Sequence, residues 1–157
     1  CGTGQLTVRL LAELGVTEVF GCDAAPGMLD QAKNRSHEVT WIEGTAEAIP
    51  LPDGAVDALV STEAFHWFDQ PAALEEFHRV LTPGGHVVIA LVNPRTRLES
   101  RLIGRNPLLL GSGHWPDRRA MARLVESAGF RVLRQRRVHR AFGVLIPTVV
   151  TVAARSD

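Results

Sequence analysis

A glycine turn at the start of the chain and an acidic residue further on have the spacing of a nucleoside-binding site. Gly2 and Gly4 lie where the chain enters an apolar helix, and Asp23 follows Gly4 by 19 residues at the end of an apolar run. In such sites glycines let the backbone approach the ligand, and an acid about 20 residues on binds the ribose. The spacing predicts that Asp23 binds two ribose hydroxyls through its two carboxylate oxygens. The alternatives are a plain helix-entry turn and an aspartate that caps a helix.

A second group of chemically active side chains, Glu63, His66 and Trp67, follows the apolar run at residues 55–61. This run predicts a strand, and open α/β sheets bind ligands at the carboxyl ends of their strands. His66 combines this place with titration near neutral pH, which makes it the candidate general base. The alternative is that His66 only fixes its loop through a backbone hydrogen bond. Trp67 is able to face a cation or cover a substrate, although a packing role is favoured.

The elements that position these residues alternate along the chain. Predicted helices span residues 5–14, 26–32, 71–81 and 117–128, and predicted strands span 18–22, 39–43, 55–61, 86–92, 131–141 and 145–154. Met28, Leu29 and Ala32 form the predicted inner face of the second helix. The last two strands are close enough in sequence to pair as an antiparallel hairpin. The alternation predicts a single α/β domain over residues 1–157, with a largely parallel sheet.

The composition is that of an ordinary globular domain. Apolar residues make up 45% of the 157 residues and the net charge is zero, so no overall field favours nucleic acid or a membrane surface. Cys1 and Cys22 form no metal or disulfide pattern, and reduced thiols in a cytoplasmic protein are expected. Arginine outnumbers lysine 16 to 1, which we interpret as the codon bias of a GC-rich, bacterial genome.

Two groups of arginines could in principle meet anionic partners. Arg131, Arg134, Arg136, Arg137 and Arg140 fall on both faces of a predicted strand with no interleaved aromatic residue, so we expect no nucleic-acid partner. The second group, in the segment 95–116, could meet a carboxylate substrate, although a solvated loop is favoured. Its arginines are Arg97, Arg101 and Arg105.

Five motifs, in this order, resemble the class I S-adenosylmethionine-dependent methyltransferases that act on small molecules. They occupy residues 1–4, 21–29, 44–52, 55–68 and 79–85, and the resemblance covers nearly the whole chain. It implies a Rossmann-like sheet of strand order 3-2-1-4-5-7-6 with an antiparallel seventh strand. It also implies transfer of a methyl group from S-adenosylmethionine to an O, N or C atom of a small molecule.

The resemblance assigns roles to particular residues. It implies His66 as the catalytic residue, and as cofactor-binding residues Cys1, Gly2, Thr3, Gly4, Asp23, Ala24, Met28, Thr45, Ala46, Glu47, Glu63 and Trp67. Ala24 and Met28 would form an apolar wall for adenine. Thr45 stands where the family usually has an acid, so the contact with the adenine amino group would fall to backbone or to Glu47.

Two other expectations follow from the position of the first motif. The strand that precedes it in the family is absent because the chain begins at Cys1. We therefore expect a domain that lacks its first, central strand, is poorly stable alone, and has either an open slot or direct pairing between strands 18–22 and 55–61.

Two rival functions differ in class from methyl transfer. A dinucleotide-dependent oxidoreductase would need a third glycine and a second half-domain, which the sequence lacks. A non-catalytic, methyltransferase-like binding domain is the other alternative.

Overall fold

The computed structural model describes residues 1–92, 114–138 and 148–156, without the side chain of Val92. The chain divides into two compact units, an N-terminal unit of residues 1–51 and a C-terminal unit of residues 52–157. Within the described residues, no helix is both long and apolar enough to cross a membrane. Whether the whole chain acts as the single domain expected from its sequence stays a prediction.

The N-terminal unit contains a parallel pair of strands and two helices. Its elements are α1 (Gln5–Leu14), β1 (Phe20–Asp23), α2 (Pro26–Lys33) and β2 (Thr40–Glu43). The pair runs in register from Phe20 opposite Thr40 to Asp23 opposite Glu43. Consequently Asp23 is the last residue of its strand, at the carboxyl edge of the sheet.

Helix α1 has the bounds that its sequence indicates and α2 ends one residue later than predicted, but the buried face of α2 differs from the prediction. In α2, Leu29 and Ala32 are buried, whereas Met28 is 41% exposed, so its place on the inner face was wrong. In α1, Thr7 is the buried residue and Leu14 is exposed.

The C-terminal unit is a mixed four-stranded sheet with helices. Its elements are β3 (Val56–Thr62), a 3₁₀ turn (Phe65–Trp67), α3 (Gln70–Val80), β4 (Leu81–Val92), α4 (Arg118–Ser127), β5 (Phe130–Val138) and β6 (Thr148–Arg155). The strand order is β3-β4-β6-β5, in which β3 and β4 are parallel and β6 is antiparallel to both of its neighbours. The predicted α/β class, with an antiparallel C-terminal hairpin, is confirmed. This order equals the 4-5-7-6 part of the family sheet.

The Pro83-Gly84-Gly85 segment, which precedes the strand predicted at residues 86–92, lies inside β4. Leu81 is opposite Val56, but the next partners are His86 and Ala58, so the β4 side contains extra residues. Gly84 has a φ of 73°, a left-handed conformation that favours glycine. The segment bulges out of the ladder and the strand resumes at His86, where it was predicted to start.

The core of the C-terminal unit lies between α3 and the sheet. Leu74, Phe77 and Val80, which have helical spacing in the sequence, and Leu81 at the start of β4 are all buried. The strand expected at residues 55–61 was predicted to be buried, but in β3 only Ser61 is. β3 pairs with β4 alone and is an edge strand of this sheet, and edge strands expose more surface.

The sheet topology tests the expected direct pairing between the strands predicted at residues 18–22 and 55–61. β1 pairs with β2 and β3 pairs with β4, in two separate sheets of the described chain. Direct pairing between β1 and β3 is therefore wrong. The low stability expected of the isolated chain stays a prediction.

Candidate functional site

In the N-terminal unit the site is built around the carboxylate of Asp23, at the end of β1. Its Oδ2 accepts hydrogen bonds from the backbone N–H of Gly2 at 2.7 Å and from the Cys1 nitrogen at 2.9 Å. Its Oδ1 accepts one from the N–H of Ala25 at 3.0 Å. We call this arrangement of residues 1–4 around Asp23 the glycine–aspartate site. Asp23 thus ties the glycine turn to the strand end.

These contacts fix the ionisation of Asp23. Burial raises the pKa of its carboxyl, but the hydrogen bonds from Cys1, Ala25 and Gly2 outweigh burial and hold that pKa below its usual range. The side chain is therefore a carboxylate at neutral pH. Asp23 is not the N-cap residue of α2, because the N-cap is Ala25, whose own side chain makes no capping hydrogen bond.

The contacts also limit how Asp23 would bind a ribose. Each carboxylate oxygen has about two acceptor positions. Gly2 and Cys1 occupy both positions on Oδ2, while Ala25 leaves one open on Oδ1. One hydroxyl fits directly at Oδ1, and a second would replace the Cys1 nitrogen on Oδ2.

The two glycines of the turn have different local roles. Both are left-handed, with φ of 57° at Gly2 and 79° at Gly4. A Cβ on Gly2 would meet no atom within 4 Å, but one on Gly4 would lie 2.5 Å from the indole ring of Trp41. Gly2 leaves the open space that close approach of a ligand requires, whereas Gly4 makes room for Trp41.

Trp41 is a residue of this site that the sequence interpretation missed. Its indole Nε1–H donates to the carbonyl of Ser36 at 2.9 Å, and its ring lies 2.3 Å from where a Cβ on Gly21 would be. The ring packs against backbone of both the glycine turn and β1. A tryptophan on a strand, with glycines on the neighbouring segments, was the available signal.

The loop of residues 44–52, which follows β2, contacts the end of β1. The N–H of Gly44 donates to the carbonyl of Asp23 at 3.2 Å. After it, Thr45 forms an isolated bridge with Ala48, which closes a tight turn. Other predicted cofactor residues share this unit: Thr3, Ala46 and Glu47 are half-buried, and Ala24, Met28 and Thr45 are exposed.

The two cysteines belong to the same edge of the sheet. The Cys1 nitrogen donates to the carbonyl of Cys22 at 2.7 Å, and both thiols are free. Burial, with the charge of Asp23 also contributing, raises the pKa of the Cys22 thiol. At neutral pH the Cys22 thiol is protonated, so it is a poor nucleophile.

In the C-terminal unit, His66 lies in a group of aromatic rings that we call the aromatic cluster: His66, Trp67 and Trp115. The imidazole of His66 stacks on the Trp115 ring, with centroids 3.9 Å apart and planes 19° apart. The Trp67 ring is 4.6 Å away and tilted by 46°. His66 is only 6% exposed, and its Nδ1 has no hydrogen-bond partner within the described residues.

This environment sets the charge of His66. Burial lowers the pKa of its imidazole, so the ring is neutral at pH 7 and able to accept a proton. The backbone carbonyl of His66 accepts from the His114 N–H at 2.8 Å, so the loop is fixed by main chain. The imidazole itself is positioned by stacking.

Of the other two predicted residues of this unit, Glu63 precedes the cluster in sequence and Trp67 belongs to it. Glu63 has a φ of 54°, a conformation that is strained for a residue with a side chain, and its N–H donates to the carbonyl of Ala90 at 2.9 Å. Trp67 is 62% exposed, so the favoured packing role was wrong. The 3₁₀ turn buries Phe65 and His66 and directs Trp67 outward.

Some predicted residues lie outside the described part of the chain. These are Arg97, Arg101, Arg105 and Arg140. On β3, the side chain of Asp57 accepts a hydrogen bond from the hydroxyl of Thr82 at 3.1 Å.

Comparison with known proteins now bears on both units. A family described as "Methyltransferase domain" matches residues 1–89, more than half of the chain. The chain belongs to the methyltransferase domain family. An uncharacterized methyltransferase of Mycobacterium tuberculosis is 44% identical over 86 residues, 55% of this chain and 35% of that protein. A malonyl-[acyl-carrier protein] O-methyltransferase of Serratia marcescens is 42% identical over 91 residues, 57% of this chain and 35% of that protein.

A solved structure is similar to this chain over nearly its whole length. The structure of a geranyl diphosphate methyltransferase in complex with SAM matches with a TM-score of 0.81 and 16% identity, over 99% of this chain and 75% of that one. The chain spans about a third of the length of the two curated relatives. The methyltransferase chain therefore has the class I fold, and the cofactor of its family is S-adenosylmethionine.

The glycine–aspartate site fits the nucleoside end of that cofactor. Asp23 is ionised and has an open acceptor position, and Gly2 leaves free space beside it. Both features suit a ribose, which presents hydroxyl donors close to backbone.

Proposed function

We propose that this methyltransferase transfers a methyl group from S-adenosylmethionine to an O, N or C atom of a small molecule. The observation that carries the proposal is the Asp23 carboxylate, held ionised at a strand end by the N–H groups of Gly2 and Ala25. A ribose hydroxyl donates to this carboxylate at Oδ1. Gly2, with no side chain, lets backbone lie against the ligand.

The other residues of the N-terminal unit complete cofactor binding in this proposal. Ala24 and Met28 are exposed and offer an apolar surface to adenine, while the tight turn at Thr45 and Glu47 offers its polar groups. Cys1 and Thr3 belong to the turn around the methionine end. Ala46 lies on the adenine side.

Methyl transfer from a sulfonium needs few catalytic side chains. Bound S-adenosylmethionine supplies an activated methyl sulfonium that a nucleophile attacks in line. The protein must hold the two reactants about 3–3.5 Å apart and exclude water. Glu63 and Trp67 are assigned to the cofactor and His66 to the acceptor.

His66 acts in this proposal as a general base of modest strength. Its imidazole is neutral at pH 7, which a base requires. Its Nδ1 makes no hydrogen bond to a carboxylate among the described residues, and burial lowers its pKa, so its proton affinity is low. Such a base suits an acceptor with an acidic proton, such as a phenol, and is dispensable for a carboxylate.

Oxygen is the first acceptor atom to test. One relative is named as an O-methyltransferase, of malonyl-[acyl-carrier protein]. Another is named as a demethylmenaquinone methyltransferase. Small carboxylic acids and phenols form the first screen, with methyl transfer from labelled S-adenosylmethionine as the assay.

Ligand-dependent melting separates this proposal from the oxidoreductase alternative. S-adenosylhomocysteine should raise the melting temperature in a concentration-dependent way, and NAD should leave it unchanged, because only a ligand that binds the folded state stabilises it. Stabilisation by NAD alone would overturn the proposal. Stabilisation by S-adenosylhomocysteine with no turnover across the screen would favour the non-catalytic binding domain.

A further inference from the structure

A buried glutamine joins the two segments that carry the aromatic cluster. Gln70 is the first residue of α3, and its Nε2 donates to the carbonyl of His114 at 2.8 Å and to the carbonyl of Phe65 at 3.3 Å. Phe65 precedes His66, and His114 precedes Trp115. One amide group therefore bridges the residues next to the two stacked rings.

Gln70 is itself held firmly. It is only 7% exposed, and the preceding residue, Asp69, caps α3 by accepting from the N–H of Ala72 at 3.3 Å. A helix start with a capped N-terminus is a rigid base for a side chain. The Gln70 amide therefore donates to the carbonyls of Phe65 and His114 from a well-fixed position.

The rings depend on this backbone connection. The Nδ1 of His66 lacks a hydrogen-bond partner in the described chain, so no side chain orients the imidazole through that atom. What remains among the described contacts is the tilted contact with Trp67 in the same turn, the stack on Trp115, and the hydrogen bond from the His114 N–H to the His66 carbonyl. The last two require residues 114 and 115 to stay beside the 3₁₀ turn.

We infer that Gln70 is a positioning residue, which holds the His66 imidazole against the Trp115 ring by clamping the carbonyls of Phe65 and His114. Its importance for methyl transfer rests on the proposed function of His66. The clamp itself is a property of the C-terminal unit and is testable without cofactor or acceptor.

The test is an NMR measurement of the His66 ring protons, assigned by comparison with His66→Asn. In the wild type, stacking on the indole shifts these signals upfield. Gln70→Glu keeps the size but, as a carboxylate, cannot donate to carbonyls, and Gln70→Ala removes the donor. Both variants should lose most of the upfield shift.

A second glutamine provides the matched control. Gln135 also makes two hydrogen bonds through Nε2, to the carbonyl of Arg118 at 3.0 Å and to the Thr151 hydroxyl at 3.2 Å. Neither of these two partners belongs to the aromatic cluster, so Gln135→Ala should leave the His66 signals in place. If the Gln70 variants keep the wild-type His66 shifts, or if Gln135→Ala removes them equally, the clamp is overturned.

A kinetic readout tests the consequence for the reaction. Misplacing a reacting group by about 1 Å costs roughly 10²-fold in rate. Gln70→Glu should therefore lower kcat by up to about 10²-fold and leave the KM for S-adenosylmethionine unchanged. A displaced ring with unchanged kcat would overturn the positioning role. Failure of S-adenosylhomocysteine to bind the wild type would instead overturn the proposed function and leave the clamp intact.

Discussion

The two units position their chemically active side chains by opposite means. In the glycine–aspartate site the Asp23 carboxylate accepts three hydrogen bonds, two of them from the N–H groups of Gly2 and Ala25. In the aromatic cluster the His66 imidazole is held by stacking on Trp115, and its Nδ1 is buried without a described partner. One site is fixed by polar contacts to backbone, the other by aromatic packing.

The two environments give Asp23 and His66 different charge states at neutral pH. Hydrogen bonds from N–H groups favour the charged form of Asp23 and keep it ionised, as a group that binds hydroxyls must be. Burial without hydrogen bonds favours the neutral form of His66, as a proton acceptor must be. In the proposed function, binding and proton transfer fall to different residues whose environments favour these different charge states.

The largest effect that would sharpen this comparison is expected in the aromatic cluster. Replacing His66 with Ala removes the proposed base and should lower turnover by about 10²–10⁴-fold. His66→Asn provides the control, because it is nearly harmless if His66 only fixes its loop. The measurement is kcat with a phenolic acceptor from the screen, because a carboxylate acceptor needs no base, and a wild-type kcat for His66→Ala with that phenol would contradict the assignment.

A smaller loss is expected in the glycine–aspartate site. Hydrogen bonds to a charged group contribute about 1.5–3 kcal/mol, so Asp23→Ala should weaken S-adenosylhomocysteine binding roughly 10- to 150-fold. Asp23→Asn keeps the size of the side chain but loses its charge, so its affinity for S-adenosylhomocysteine should lie between those of the wild type and Asp23→Ala. Asp30→Ala is the matched control, since Asp30 is an exposed acid on the adjoining helix α2. Equal affinities for Asp23→Ala and Asp30→Ala would contradict the assignment.

The glycine turn allows a test of packing alone. Gly4→Ala should destabilise the fold by about 1–3 kcal/mol, because its Cβ would overlap the Trp41 ring. Gly15→Ala is the control, with a similar left-handed φ of 61° but nothing within 4 Å of its Cβ. Urea unfolding measures both. If the two variants lose the same stability, the Trp41 contact contributes nothing.

The smallest effect is the pH dependence of stability that Asp23 contributes. Its pKa in the folded chain lies below that of an unfolded aspartate, about 3.9. The contribution is therefore fully present above the unfolded pKa and is lost as pH falls through the folded pKa. Urea midpoints measured below pH about 5 should fall less steeply for Asp23→Asn than for the wild type. Parallel curves would show that Asp23 is not stabilised by its contacts.

The core residues of α3 and the position of Asp23 at a strand end could be predicted from the sequence, because both depend on the spacing of residues close together in the chain. The helical period placed Leu74, Phe77 and Val80 in the core, and the spacing from Gly4 led to Asp23 at a strand end. Met28 was misplaced because the first turn of a short helix does not define which side faces the sheet.

What the sequence did not predict depends on contacts between distant residues. Gln70 binds a carbonyl 44 positions away, and its other partner is also main chain, so no side-chain pattern marks it. The role of Gly4 required the place of the Trp41 ring, on another segment. The exposure of Trp67 follows from the geometry of one 3₁₀ turn.

Titration calorimetry with S-adenosylhomocysteine on the wild type, Asp23→Ala and His66→Ala tests the central claim most directly. If the glycine–aspartate site binds the nucleoside and His66 serves the acceptor, Asp23→Ala should lose roughly 10- to 150-fold in affinity. His66→Ala should then bind like the wild type. Unchanged affinity in Asp23→Ala, or an equal loss in His66→Ala, would contradict the division of roles between the two sites.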